Sequence, residues 1–110
     1  MAIWASNPVT LNRQQLLQSL RRGVVVRARV VDADAGRCEA IEQWPAPKVA
    51  DSFQVASLER TEARTGETYL LPLLPTDDGY AVTPSPGGQL LIYPDTAEAL
   101  SQLNKLLALP

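Results

Sequence analysis

The sequence predicts an α+β domain, a mostly antiparallel sheet of about five to six strands with an N-terminal and a C-terminal helix; a small bent β-barrel with the same terminal helices is the alternative. Three observations carry this. Leucines recur at helical spacing only near the two ends of the chain. Between them lie short apolar runs separated by Asp/Gly and Pro/Gly turn residues at almost every junction. With 110 residues, 45% hydrophobic and 20% charged, the composition is that of one folded domain spanning residues 1–110, large enough to bury a core without a metal or a disulfide.

The C-terminal part reads most clearly. Gln89-Leu90-Leu91-Ile92-Tyr93 forms an apolar strand that Pro94 interrupts. Asp95 is the expected N-cap of the following helix, with Glu98 three residues on reaching back toward it and both acids at the positive end of the helix dipole. Leu100, Leu103, Leu106 and Leu107 then share one face, opposite Glu98, Ser101, Gln102 and Lys105.

At the other end, Thr10 is the expected N-cap of a helix over residues 11–22. Leu16, Leu17 and Leu20 form its apolar stripe, and Arg21, Arg22 and Gly23 close its last turn. Residues 24–31 read as a strand rich in β-branched side chains, in which Arg27 and Arg29 alternate with Val26, Ala28 and Val30. Asp32-Ala33-Asp34-Ala35-Gly36 is a reversal, and residues 37–44 return as the second strand of a hairpin that Pro45 and Pro47 stop. The stretch 44–51 is the longest irregular connection.

Residues 52–62 suit a strand at Phe53 and Val55 and a helix from Ala56 onward. Ala63-Arg64-Thr65-Gly66 favours a hairpin with 67–74 as its returning strand. Pro72 cannot donate to a ladder, so that strand either lies at an edge or turns its unbonded side outward there. A reversal at residues 75–79, a short strand at 80–83 and a Pro/Ser/Gly loop at 84–88 complete the chain.

The chemistry is bounded mainly by what is missing. There is no histidine, the commonest general base and metal ligand, and Cys38 is the only cysteine. An intramolecular disulfide, a Cys-X-X-Cys pair and a cysteine zinc site are therefore impossible within one chain. Neither a secretory leader nor a run of about 20 apolar residues is seen, and a cytoplasmic location is the default expectation. No cofactor is expected: Gly87-Gly88 precedes a strand where a phosphate-binding loop would precede a helix. Asp32, Asp34 and Glu39 miss the calcium-loop pattern, since Gly36 and Gln43 stand where ligands are required. Asp77 and Asp78 read as a solvated turn, and Cys38 as a small buried hydrophobe. Thr83-Pro84 and Ser85-Pro86 have the form of proline-directed phosphorylation sites, a form common in loops.

The readable site is the first hairpin. Arg27 and Arg29 lie two residues apart on one strand face, and with Arg37 and the aromatic Trp44 on the neighbouring strand they form a candidate binding surface for an anionic group, a nucleic-acid strand or an acidic peptide. Against this stands plain pairing of the arginines with Glu39 or Glu42 across the hairpin. Trp4, ahead of the first helix, either folds back on the domain or anchors a partner. The leading expectation is a small non-enzymatic protein that binds another protein or a second copy of itself, as an adaptor, regulator or minor subunit. The alternative is an anion or nucleic-acid binding module, made less favourable by a net charge of −2. An enzyme working with carboxylates and arginine alone is a third class.

Overall fold

The structure, a computed structural model, describes residues 10–45 and 49–108. In chain order come α1 (Arg13–Arg22), β1 (Val24–Asp32), β2 (Arg37–Trp44), β3 (Ser52–Ala56), a 3-10 turn (Leu58–Arg60), β4 (Thr68–Thr76), β5 (Gly79–Val82), β6 (Tyr93–Pro94) and α2 (Ala97–Leu107). β1 pairs antiparallel with β2 on one side and β4 on the other, β2 pairs with β3, and β4 with β5. β3 lies parallel to β5, which closes the five strands into a barrel in the order β1-β2-β3-β5-β4. β6 adds to β4 outside the ring. The α+β class with terminal helices holds, and the sheet takes the barrel form. Five strands closed in this order make a Greek-key barrel of the OB type.

Strand alternation divides the apolar residues between two cores. Val24, Val26, Ala28 and Val30 of β1 point into the barrel, where they meet Cys38, Phe53, Val55, Tyr69, Leu71, Leu73 and Val82. Leu58, fully buried in the 3-10 turn, belongs to the same core. Val25 and Leu70 face outward into a second core built with Leu11, Leu16, Tyr93, Ala99 and Leu103. Both helices therefore cover the outer surface of β1 and β4. Farther along the same outward face of β1, Arg27 and Arg29 emerge beyond the helices.

The hairpin at residues 32–36 forms as expected, with the Asp32 carboxylate accepting from the Asp34 and Ala35 amides at 3.1 Å. Gly36, at φ +73°, lies so close to β3 that a Cβ there would sit 2.2 Å from the Val55 carbonyl oxygen. Only glycine fits that approach. Past the turn, Ile41 is the extra residue of a β-bulge in β2, which leaves it 52% exposed.

Four local expectations are corrected. The residues after β3 do not form a hairpin with β4; the 3-10 turn intervenes, and β3 pairs with β2 and β5 instead. β4 is not an edge, since it has neighbours on both sides. Pro72 is accommodated between the β5 and β6 ladders: its carbonyl accepts from Thr83 N at 2.9 Å, so its nitrogen, on the same side, faces the end of β5. Of the strand expected at 89–93, only Tyr93 continues into a ladder. The helix caps also move: Asn12 caps α1 through Gln15 N at 3.0 Å, and Thr96 caps α2 through Ala99 N at 3.1 Å.

What fastens α1 to the barrel is polar. The Gln15 carboxamide, 1% exposed, donates to the Thr83 carbonyl at 2.7 Å and the Leu91 carbonyl at 2.9 Å. Its oxygen accepts the Tyr93 hydroxyl at 2.6 Å, and the phenol oxygen in turn accepts the Asn12 amide at 2.9 Å. One turn on, the Ser19 hydroxyl reaches the Thr83 hydroxyl at 2.7 Å. Among the described residues no buried side-chain polar atom lacks a partner. Such a network is costly to break, because each orphaned group loses about 1–3 kcal/mol. Gln15→Ala is expected to lower the unfolding free energy by about 2–4 kcal/mol in urea titrations, whereas Gln18→Ala, at an exposed position of the same helix, changes it by less than about 0.5 kcal/mol.

Candidate functional site

The arginine face does not assemble as one site. Arg27 Nε lies 2.8 Å from Asp95 Oδ2, and Arg29 Nη1 lies 3.0 Å from Glu39 Oε1. The second contact is the cross-strand pairing anticipated from the hairpin. The first explains why Asp95 does not cap α2: its carboxylate is turned to β1, and Thr96 takes over the capping. Arg37 is exposed at the other end of β2, opposite Asp32 of β1 and Gln54 of β3. Trp44, half-buried at the strand end, packs with the helices in the outer core beside Val25. Trp4 lies outside the described residues.

Barrels of the OB type that bind oligonucleotides do so on the β2–β3 face and through the β1–β2 and β4–β5 loops. In this chain those two turns carry Asp32, Asp34, Asp77 and Asp78. The turns flank β3, since Gln54 Nε2 donates to the Ala35 carbonyl at 2.8 Å and the Gln54 carbonyl lies beside Gly79. Four carboxylates at that end repel a phosphate backbone, and Arg29 on the adjoining sheet is already paired with Glu39. No group of three or more metal-ligating side chains is gathered among the described residues.

Two titratable groups inside the domain are held neutral. Burial pushes the Cys38 thiol up from 9.0 to about 11. Burial also raises the Tyr93 phenol above its ordinary value, opposed by the Asn12 amide that donates to it. A hollow of about 630 Å³ between the loop after β3 and the segment before α2 contains Glu62, Arg64 and Tyr69. It has the residue types of a carboxylate and arginine site. Its one buried group, Tyr69, is committed: the hydroxyl donates to Glu67 at 2.8 Å and accepts the Arg64 amide at 2.9 Å. Desolvation, followed by the Glu67 hydrogen bond, raises its pKa, which opposes use as a base near neutral pH.

The most distinctive surface was not read from the sequence. Along α1, Asn12, Gln15, Leu16 and Ser19 form the stripe that meets the barrel, and Gln15 and Ser19 are buried. Arg13, Leu17, Leu20 and Arg21 form the next stripe, where both leucines are only half-buried. The helix thus buries polar side chains and leaves leucines partly outside. These leucines line a groove of about 540 Å³ between α1 and α2, together with Pro45, Leu106 and the 37% exposed Leu107. Arg13 and Arg21 stand in its walls, and Arg22 lies on the adjoining surface. Neither ion pair among the described residues involves these three, and α1 contains no acid. The leucine spacing was legible in the sequence; its division between two faces was not.

Comparison with protein-family models, with curated proteins and with solved structures finds no match. No helix among the described residues is long and apolar enough to cross a membrane.

Two measurements check the electrostatics. Asp95→Ala, which removes a part-buried partner, is expected to cost about 1–2 kcal/mol, and Glu39→Ala, exposed, less than about 0.5 kcal/mol. With a folded pKa above its unfolded value, Cys38 contributes stability that is complete below pH 9.0 and is lost as pH rises toward about 11. Urea midpoints should therefore hold steady up to about pH 9.0 and fall between there and about 11. Cys38→Ala should delay the onset to the tyrosine range.

Proposed function

We propose that this chain is a small non-enzymatic protein-binding module, an adaptor, regulator or minor subunit, and that its contact surface is the groove between α1 and α2. One observation carries the reading: α1 buries Gln15 and Ser19 against the barrel while Leu17 and Leu20 remain half-exposed beside Leu106 and Leu107. Leaving apolar area in water forgoes about 25 cal/mol per Å², so a recessed leucine surface is best accounted for by something that covers it. The groove combines four leucines and a proline with two arginines, apolar contact area beside a few charged groups, the anatomy of a recognition site.

The sheet face supports this assignment less well. Arg27 and Arg29 already have carboxylate partners that a new anionic ligand would have to displace, and Arg37 stands apart from them at the start of β2. The acidic turns beside β3 make an anion or nucleic-acid role on that face less favourable still.

The test compares two variants in the native host with cross-linking and affinity recovery. Leu17→Glu places a charge in the groove, and Arg29→Ala removes an exposed pair on the sheet; both should unfold within a few degrees of the parent. A partner recovered with the parent chain is expected to be lost with Leu17→Glu and kept with Arg29→Ala. The opposite pattern would move the site to the sheet face, and recovery of no partner at all, a second copy included, would contradict the reading.

A further inference from the structure

Building on the groove as the contact surface, we infer that its occupant is an acidic amphipathic helix of a partner protein, seated on the leucines of α1 and α2 with its carboxylates on Arg13 and Arg21. The secondary structure of the occupant follows from the walls. The groove's two long walls are helices, whose backbone groups are bonded within each helix, and Pro45, which follows β2, has no amide hydrogen to donate, so the described lining offers no strand edge. An extended segment buried there would leave its own amides and carbonyls without partners, at about 1–3 kcal/mol each. A helix brings its backbone already satisfied. Leu17 and Leu20 are spaced by one turn, and an incoming ridge of apolar residues at three and four residue spacing packs between such rows.

The charge of the occupant follows from the rim. Arg13 and Arg21 are separated by two turns of α1, about 12 Å along the axis, and so stand toward opposite ends of the groove. Among the described residues no carboxylate lines it. The guanidinium fork holds carboxylates in pairs of hydrogen bonds, and in a partly desolvated groove such contacts are stronger than at an open surface. Acidic residues on the two margins of an incoming helix would meet both arginines while its apolar ridge fills the floor.

Other occupants fit less well. Two copies of this chain pairing groove to groove would set the same arginines against one another across a twofold axis. A bilayer takes up apolar side chains that stand clear of the surface, and Leu17 and Leu20 are half-buried. A single-stranded nucleic acid asks for aromatic platforms, and none of the lining residues is aromatic.

The experiment uses two synthetic helical peptides, identical in their leucine ridge and carrying either Glu or Lys on both margins, titrated into the full-length 15N-labelled chain. The Glu peptide is expected to bind at least about tenfold tighter than the Lys peptide, with amide shifts confined to α1 and the last turns of α2. Arg13→Glu combined with Arg21→Glu, both at exposed positions, should reverse that preference while leaving the remaining spectrum and the melting temperature unchanged. Equal affinities, binding of neither peptide, or shifts centred on β1–β3 would overturn the inference. So would a dimer growing with concentration and mapping to this groove, or loss of signal on phosphatidylserine vesicles for the parent that Leu17→Glu abolishes. The two readings fail separately: loss of a cellular partner with Leu17→Glu but no Glu preference rejects the acidic helix alone, and a retained partner rejects the groove itself.

Discussion

The Gln15 carboxamide is the joint on which the arrangement depends. It satisfies two carbonyls from separate parts of the chain, Thr83 after β5 and Leu91 before β6, and accepts the Tyr93 hydroxyl, so one side chain joins the first helix to three later positions. Its hydrogen bonds substitute for strand pairing that residues 89–92 do not make. The irregular run from 84 to 92 can therefore cross the barrel surface with buried polar groups satisfied, where a continuous strand would have been the obvious alternative.

The orientation of α1 follows from this joint. With Gln15 and Ser19 directed at Thr83, the stripe through Leu17 and Leu20 is rotated toward α2 and solvent. α2 is held by Leu103 and Ala99 in the outer core that it shares with Leu16, by Arg27 on Asp95 at its approach, and by the Leu11 amide donating to Gln102 at 2.9 Å. Two helices fixed to one barrel leave a defined space between them. A groove whose walls are set before a partner arrives needs little ordering on binding, which favours affinity.

The sequence disclosed local features well. Alternation in β1, the Asp32–Gly36 turn and the burial of Cys38 all depend on neighbours within a few residues, and each is found in the structure. What was not legible depends on distant partners. Asp95 has the form of an N-cap until Arg27, far away in the chain, is brought beside it. Gln15 in an amphipathic helix reads as a solvent-facing residue, and only its i+4 relation to Ser19, with Leu16 on the same stripe, hinted at a polar buried face. The parallel pairing of β3 with β5, which closes the barrel, has no local signature, because the intervening β4 takes its place on the far side of β5. The candidate groove was hidden for the same reason: Leu16, Leu17 and Leu20 look like one stripe until the buried polar residues divide them.

The central claim is that α1 is an integral wall fastened by a buried polar network, so that the groove exists in the free protein. Native-state amide hydrogen exchange of the unbound chain measures this directly, since it separates local opening from global unfolding residue by residue. The account predicts that the amides of Leu16, Leu17 and Leu20 exchange with the same opening free energy as those of Val26 and Leu71 in the barrel. Exchange of α1 through a low-energy opening, with the barrel amides still protected, would contradict it.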